Sequence, residues 1–290
     1  MNQMGAMTVA DELSESQRTA LLTLLADDDP AVYQTIRQRV LSCGTHAADW
    51  LRPHTLSRDP VLRRHAQEIV RSLDRQTADN LFLAFCLKQG EAFDLEAGAW
   101  LLAQTEYPEI NVDGYRALLD SFASDVRERM VNTSDPAKNL NILNHYLFEE
   151  LGFTGDEQNY YDPENSYLNR VVDRRIGNPI NLCLVYLLVG RRLKLPLAGI
   201  GLPGHFICRY QSSCAEIYVD AFSRGKLLTK ADCVQYLLKG NYSLRDDYLA
   251  PVSSRRILLR VCGNLQQIYV HLERAEAATR LQRYMVALAR

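Results

Sequence analysis

The sequence predicts an α+β protein, mostly helical, with one small antiparallel sheet flanked by helical-repeat-like segments. Three observations predict this. Asp-Pro pairs that read as helix starts recur at Asp29-Pro30, Asp59-Pro60 and Asp135-Pro136, each an Asp cap followed by Pro at the first helical position. The segment 178–194 carries a nearly unbroken apolar run, the mark of a helix buried on all sides. Three short apolar segments then follow directly, LAGIG at 197–201, HFICRY at 205–210 and AEIYVD at 215–220, separated by turn residues.

Composition sets the outer bounds. The chain has 290 residues, 47% of them hydrophobic and 23% charged, the profile of an ordinary globular protein with room for up to three small domains. A net charge of −2 gives no basis for nucleic acid or an anionic membrane as partner. The opening residues carry no basic and apolar segment of the signal-peptide kind, and the longest apolar run, LCLVYLLVG, is too short for a membrane span. Seven cysteines without CxxC spacing point to reduced thiols in a cytoplasm. The six histidines are dispersed, so no metal site and no cofactor is called for.

Residues 1–92 read as a HEAT-like helical region, because the Asp-Pro starts at 29 and 59 lead into the similar amphipathic stretches TIRQRVL and HAQEIVRSL. A further helix pair, NLFLAFCLKQG then LEAGAWLLAQTEYP, has Gly90 and Pro108 as breakers. His46, His54 and His65 are expected at the surface. Residues 93–250 form the core domain. Helices over 113–131 and 135–151 lead to a polar, aromatic loop, GDEQNYYDPEN, of the length and composition of a functional loop or ordered lid. In the helix of 178–194, Asn178 caps, Pro179 takes the first helical position, and Arg191, Arg192 and Lys194 suit the negative end. Residues 251–290 read as an antiparallel, tetratricopeptide-like helix pair.

The second and third strands carry the chemistry. A hairpin centred between Ser212 and Ser213 pairs Tyr210 with Ala215 and places His205 directly opposite Asp220. Opposed residues have Cβ atoms about 4.5–5.5 Å apart on one face of a sheet, so an imidazole meets a carboxylate there. An acid orients a base in this way in nucleophilic catalysis.

LFEELGF at 147–153, YDPENSYLN at 161–169, GNPI at 177–180, RRL at 191–193, GLPGHF at 201–206 and VDAF at 219–222 together resemble the SirB-type, invasion regulator-like branch of the transglutaminase-like (papain-like) superfamily. The resemblance runs from about Phe93 to the C-terminus. It implies a papain/transglutaminase-like core in which a Cys at the start of the buried helix attacks an acyl carbon, a His acts as base and an Asp orients it. His205 and Asp220 match the last two roles. At the Cys position the chain has Pro179. Cys183 lies one turn further in, where relatives of this branch carry Ser, and Ala221 stands where Pro follows the Asp.

Two readings of the site follow. Cys183 sits on the same helix face as Pro179 and serves either as a thiolate or as a packed structural thiol, since helix-end charge lowers a thiol pKa and burial raises it. His205 and Asp220 are either a working dyad or a structural pair. Tyr160, Tyr161 and Asn165 of the long loop and Asn181 of the buried helix are candidate ligand-binding residues. The preferred expectation is a cytoplasmic regulatory or interaction protein whose degenerate core binds a peptide or acyl-type ligand near His205. The helical segments suit a protein or peptide partner. The rival is an active cysteine acyl transferase, amidase or protease using Cys183, His205 and Asp220.

Overall fold

The computed structural model describes residues 13–88, 93–131, 133–242 and 245–290. The opening residues 1–12 and the breaker expected at Gly90 lie outside the described residues. The chain divides into two compact units, one of residues up to Leu81 with Gln104–Glu109, the other of Phe82–Ala103 with Ile110–Arg290.

The first unit begins with α1 (Glu15–Leu25), α2 (Pro30–Ser42) and the short α3 (Ala47–Leu51). Asp29 caps α2 through a hydrogen bond from Ala31 N–H, with Pro30 next to it as expected. Leu25, Val40, Leu51, Ile69 and Leu73 form its buried core. His65 is corrected from surface to interior. It is only 5% exposed, its Nδ1 bonds to the Leu25 carbonyl at 2.8 Å, and its ring stacks on Tyr33 at 4.0 Å. It lies one turn before Ile69 and therefore shares the core-facing side of its helix.

That helix, α4 (Pro60–Leu87), is a single element of 28 residues. The expected break between HAQEIVRSL and NLFLAF does not occur, because the intervening residues include neither Gly nor Pro to interrupt the ladder.

The second unit is built around the buried helix. α5 (Leu95–Gln104), α6 (Val112–Arg129) and α7 (Pro136–Asn144) come first, and α7 runs on through a π-helical turn, His145–Glu150. β1 (Thr154–Gly155) and β2 (Ile176–Gly177) form a two-residue parallel pair around α8 (Leu168–Arg174). α9 (Pro179–Arg192) is the central element, with every residue from Pro179 to Gly190 buried. Asn178 caps it by accepting from Asn181 N–H at 3.0 Å. α6, α8 and the first two of the strands that follow pack on it.

The sheet has four antiparallel strands in sequence order: β3 (Leu197–Ile200), β4 (Ile207–Gln211), β5 (Glu216–Asp220) and β6 (Lys226–Leu228). The sequence reading had three of them and missed β6, whose three residues carry no alternation long enough to register. α10 (Lys230–Lys239), α11 (Ser254–His271) and α12 (Ala275–Leu288) complete the unit. α11 and α12 pack against each other across a three-residue connection, in which Glu273 takes a left-handed φ of 56°.

Candidate functional site

The β4–β5 hairpin has a different register from the one counted on the sequence. Tyr210 faces Ile217 and Cys208 faces Val219, so the turn is centred between Ser213 and Cys214. Ser212 causes the shift. Its hydroxyl accepts from Cys214 N–H and Ala215 N–H, and its own N–H closes the loop on the Ala215 carbonyl at 2.9 Å. A serine folding back on the next turn in this way holds a tight loop closed. The ladder is displaced by two residues, so Asp220 falls opposite Ile207 and His205 lies beyond the strand. A two-residue displacement keeps every side chain on its face.

His205 and Asp220 therefore still meet, now diagonally. Nε2 of His205 stands 3.0 Å from Oδ2 of Asp220, and the two side chains are 15% and 13% exposed. Gly204, just before His205, holds φ +70°, a left-handed conformation that favours glycine. The Arg260 guanidinium fixes the His205 backbone, donating from Nη2 to the carbonyls of Leu202 at 2.8 Å and His205 at 2.7 Å. Among the described residues Arg260 has no carboxylate partner, and its cation lies 5.5 Å over the Phe206 ring.

Asp220 accepts four hydrogen bonds. Phe222 N–H and Ser223 N–H reach Oδ1, while the Ser223 hydroxyl and His205 reach Oδ2. Burial pushes the carboxyl pKa up, but the His205 hydrogen bond and charge, with the Ser223 bonds, outweigh it and hold the pKa below its ordinary value. An ionised carboxylate only accepts, so Nε2 carries the proton toward Asp220. Nδ1 is the ring nitrogen that does not meet Asp220. Phe222 meets the imidazole edge-on at 6.2 Å, and Tyr236 lies 5.9 Å away on a tilted plane.

The Cys183 sulfur is bonded to the backbone beside the dyad. It donates to the Phe206 carbonyl at 3.4 Å, and Cys208 Sγ donates back to the Cys183 carbonyl at 3.7 Å. The residue is fully buried, and burial, reinforced by Cys208, raises the thiol pKa well above its ordinary value. Pro179 fills the first position of α9 and is itself buried.

The remaining candidate residues separate into two groups. Tyr160 is exposed, and its electrostatic influence reaches Arg260 and Tyr236. Tyr161 packs edge-on against Tyr160 at 5.5 Å and turns its ring to His271 of α11 at 4.9 Å. Asn165 is buried, donating from Nδ2 to Asp156 and to the Asn159 carbonyl, so its amide nitrogen holds the loop together. Asn181 is buried and donates to its own cap, Asn178. Each keeps a buried Oδ1 without a partner.

A cavity of about 590 Å³ is lined by Thr154, Asp156, Gln158, Phe222, Ser223 and Arg224 among others, the last three from the turn that follows Asp220. Arg260, Ser223, Phe222 and Tyr236 escaped sequence reasoning. Only Ser223 left a local signal, an Asp followed three residues later by Ser, the spacing of a side chain that folds back on its own turn.

Comparison with known proteins gives a consistent result. The family model described as "Transglutaminase-like superfamily" matches residues 113–263. The "UPF0162 protein" of Xylella fastidiosa (strain Temecula1 / ATCC 700964) is 35% identical over 196 residues, covering 66% of this chain and 70% of that protein. The "UPF0162 protein" of Vibrio cholerae is 26% identical over 202 residues, covering 68% and 74%. A segment of "F-box only protein 21" of Mus musculus is 36% identical over 134 residues, which is 43% of this chain and 21% of that protein. No solved structure matches.

Proposed function

The chain belongs to the transglutaminase-like superfamily, and from that premise we propose that its core binds a peptide or acyl-type ligand beside His205 without turning it over. The role served is regulation or interaction within a cytoplasm. One observation carries the reading. Where the resemblance implies a nucleophilic thiol, the chain has Pro179, and the sulfur one turn further in, on Cys183, is buried, bonded to a carbonyl and held protonated. A thiol in that state is a weak nucleophile.

The rest of the site supports binding. The cavity lined by Phe222 and Ser223 gives an extended ligand room, and Tyr236 sets aromatic surface beside the imidazole that Asp220 orients. The likeness to a small part of an F-box only protein suits a module that works beside other domains. The SirB-type relationship, the HEAT-like region and the tetratricopeptide-like character of α11 and α12 belong to this proposal as well.

The rival reading, an acyl transferase, amidase or protease, draws on one observation, the acid-oriented base formed by His205 and Asp220. Thiol alkylation separates the two. With iodoacetamide at neutral pH, exposed Cys214 and half-buried Cys43 are expected to react, while Cys183 stays unlabelled until the protein unfolds. Selective labelling of Cys183 in the folded protein, abolished by His205→Ala, overturns the binding reading and establishes the nucleophile.

A further inference from the structure

The far end of α9 holds a second cavity, of about 530 Å³. Leu187, Leu188, Leu195, Leu197, Val252 and Ile257 supply its apolar lining, and Arg191 and Lys194 stand at its side. α9 has 14 residues and so measures about 20 Å, with the His205 site beside its first turns.

One wall of this cavity is the edge strand of the sheet. β3 pairs with β4 on one side only. On its other side, a single bridge joins Ile200 to Pro251, and Val252 N–H donates to the Gly199 carbonyl at 2.8 Å. The chain then leaves, because Ser253 caps α11 and the helix begins at Ser254. A strand residue points its N–H and C=O to the same side, and the side alternates along the strand. The Pro196 carbonyl accepts from Gln211 N–H at 3.0 Å, so 196, 198 and 200 face β4 while 197 and 199 face outward. Leu197 N–H is taken by the Leu195 carbonyl at 2.8 Å. Among the described residues the Gly199 N–H and the Leu197 carbonyl have no backbone partner, and both residues line the apolar cavity, Gly199 itself being buried.

Among the described residues one cation beside it is unpaired and the other is held by a long, exposed ion pair. Lys194 is the first, and Arg191 only approaches Asp94 at 3.8 Å, with both side chains more than half exposed. The neighbouring Arg192 is different, held between Glu96 and Asp120.

We propose that this edge binds the carboxyl terminus of a partner polypeptide, an extended segment with an apolar last residue laid antiparallel to β3. Antiparallel order runs the ligand's C-terminal end toward the start of β3, three residues after Lys194. The terminal carboxylate then faces Lys194 and Arg191, the ligand backbone completes the bonds of Gly199 N–H and the Leu197 carbonyl, and the last side chain enters the leucine-lined cavity. Strand addition with a pocket for alternate side chains and capture of a terminal carboxylate is an economical mode of peptide recognition. A fatty acid uses the cavity and the cations but leaves the open backbone groups unread, which favours the peptide.

The test uses the full chain and a fluorescein-labelled pentapeptide, Gly-Ser-Thr-Val-Leu, followed by fluorescence anisotropy. The free acid is expected to bind saturably. Its C-terminal amide binds at least about tenfold more weakly, as loss of one charge-assisted contact requires. An Arg191→Glu, Lys194→Glu double variant loses at least about tenfold in affinity by the same reasoning. The Gly199 amide resonance shifts at saturation, and this observation on the unaltered protein stands even if the variant fails to fold. Equal binding of acid and amide overturns the proposal, as does no binding at about 1 mM, saturation without a Gly199 shift, or binding of decanoate in place of the peptide. A His205→Ala variant binds the peptide unchanged if the two sites are separate, so failure here and failure of the reading at His205 are distinguishable.

Discussion

His205 and Asp220 touch at 3.0 Å from positions that do not face each other across the hairpin. The contact is diagonal, made by a histidine just outside β4 and an aspartate at the last position of β5. Asp220 is held on its other side by Ser223 and two backbone amides. The carboxylate is thus preorganised by its own turn, and the imidazole joins an acceptor already in place.

Asp220→Asn is expected to lower stability by about 1–3 kcal/mol at neutral pH, the range for disrupting hydrogen bonds to a buried charged group. The folded-state carboxyl lies below its ordinary value, so its contribution is fully present above the unfolded value of about 3.9. It is lost as pH falls through the folded-state value. Urea midpoints recorded from pH 7 down to pH 3 check this, with a steeper acid decline in the parent than in the variant. Parallel declines count against a depressed Asp220.

Gly155 lies flat against Phe222, and a Cβ there would stand 2.4 Å from the ring. Gly155→Val is expected to cost about 1–3 kcal/mol through overpacking and to push Phe222 off the imidazole. A change in the ring-current shift of the His205 carbon-bound protons, read by NMR alongside the denaturant midpoint, checks both halves. An unchanged shift means that Phe222 is not displaced.

Tyr186 is fully buried and donates to Asn144 Oδ1 at 2.9 Å, while Asn144 Nδ2 donates to the Gly225 carbonyl at 2.5 Å. This chain links the middle of α9 to the turn behind Asp220. Tyr186→Phe strands the Asn144 acceptor and is expected to cost about 1–3 kcal/mol. Burial also raises the Tyr186 pKa well above its ordinary value, so its phenol titrates only as the protein unfolds. Absorbance at alkaline pH, compared between parent and variant, reads this directly.

Arg260→Ala removes the donor to the Leu202 and His205 carbonyls. Loss of hydrogen bonds from a charged donor predicts about 1.5–3 kcal/mol of destabilisation and faster amide exchange across residues 202–206. Arg260→Lys is expected to restore stability only in part, because one ammonium cannot reproduce the planar fork. Hydrogen exchange by mass spectrometry gives the answer. Unaltered exchange in the alanine variant assigns the loop's rigidity to Gly204 and its tyrosine neighbours instead.

Local physics explains what was legible in advance. Asn178 and Pro179 announced the start of α9, and the apolar run up to Gly190 announced its complete burial, because caps and periodicity are properties of a few adjacent residues. The meeting of His205 with Asp220 survived a misplaced turn because a two-residue slip preserves the face. The register itself was not legible. Ser212 folding back on Ala215 competes with the adjacent turn by a small difference in hydrogen bonding. Arg260 arrives from a helix 55 residues away, and nothing near it in the chain marks that role.

The sequence by itself determined the class of the fold, the buried helix, the order of the three main strands and the pairing of an imidazole with a carboxylate. All of these follow from spacing and from residues in local contact. Only the tertiary structure decided that Cys183 is closed in by Phe206 and Cys208, that His65 is interior, that α4 is continuous, and that β3 keeps an open edge. Those outcomes depend on which surfaces meet after the chain has folded, where burial sets the state of a thiol and the departure of one strand leaves another unpaired.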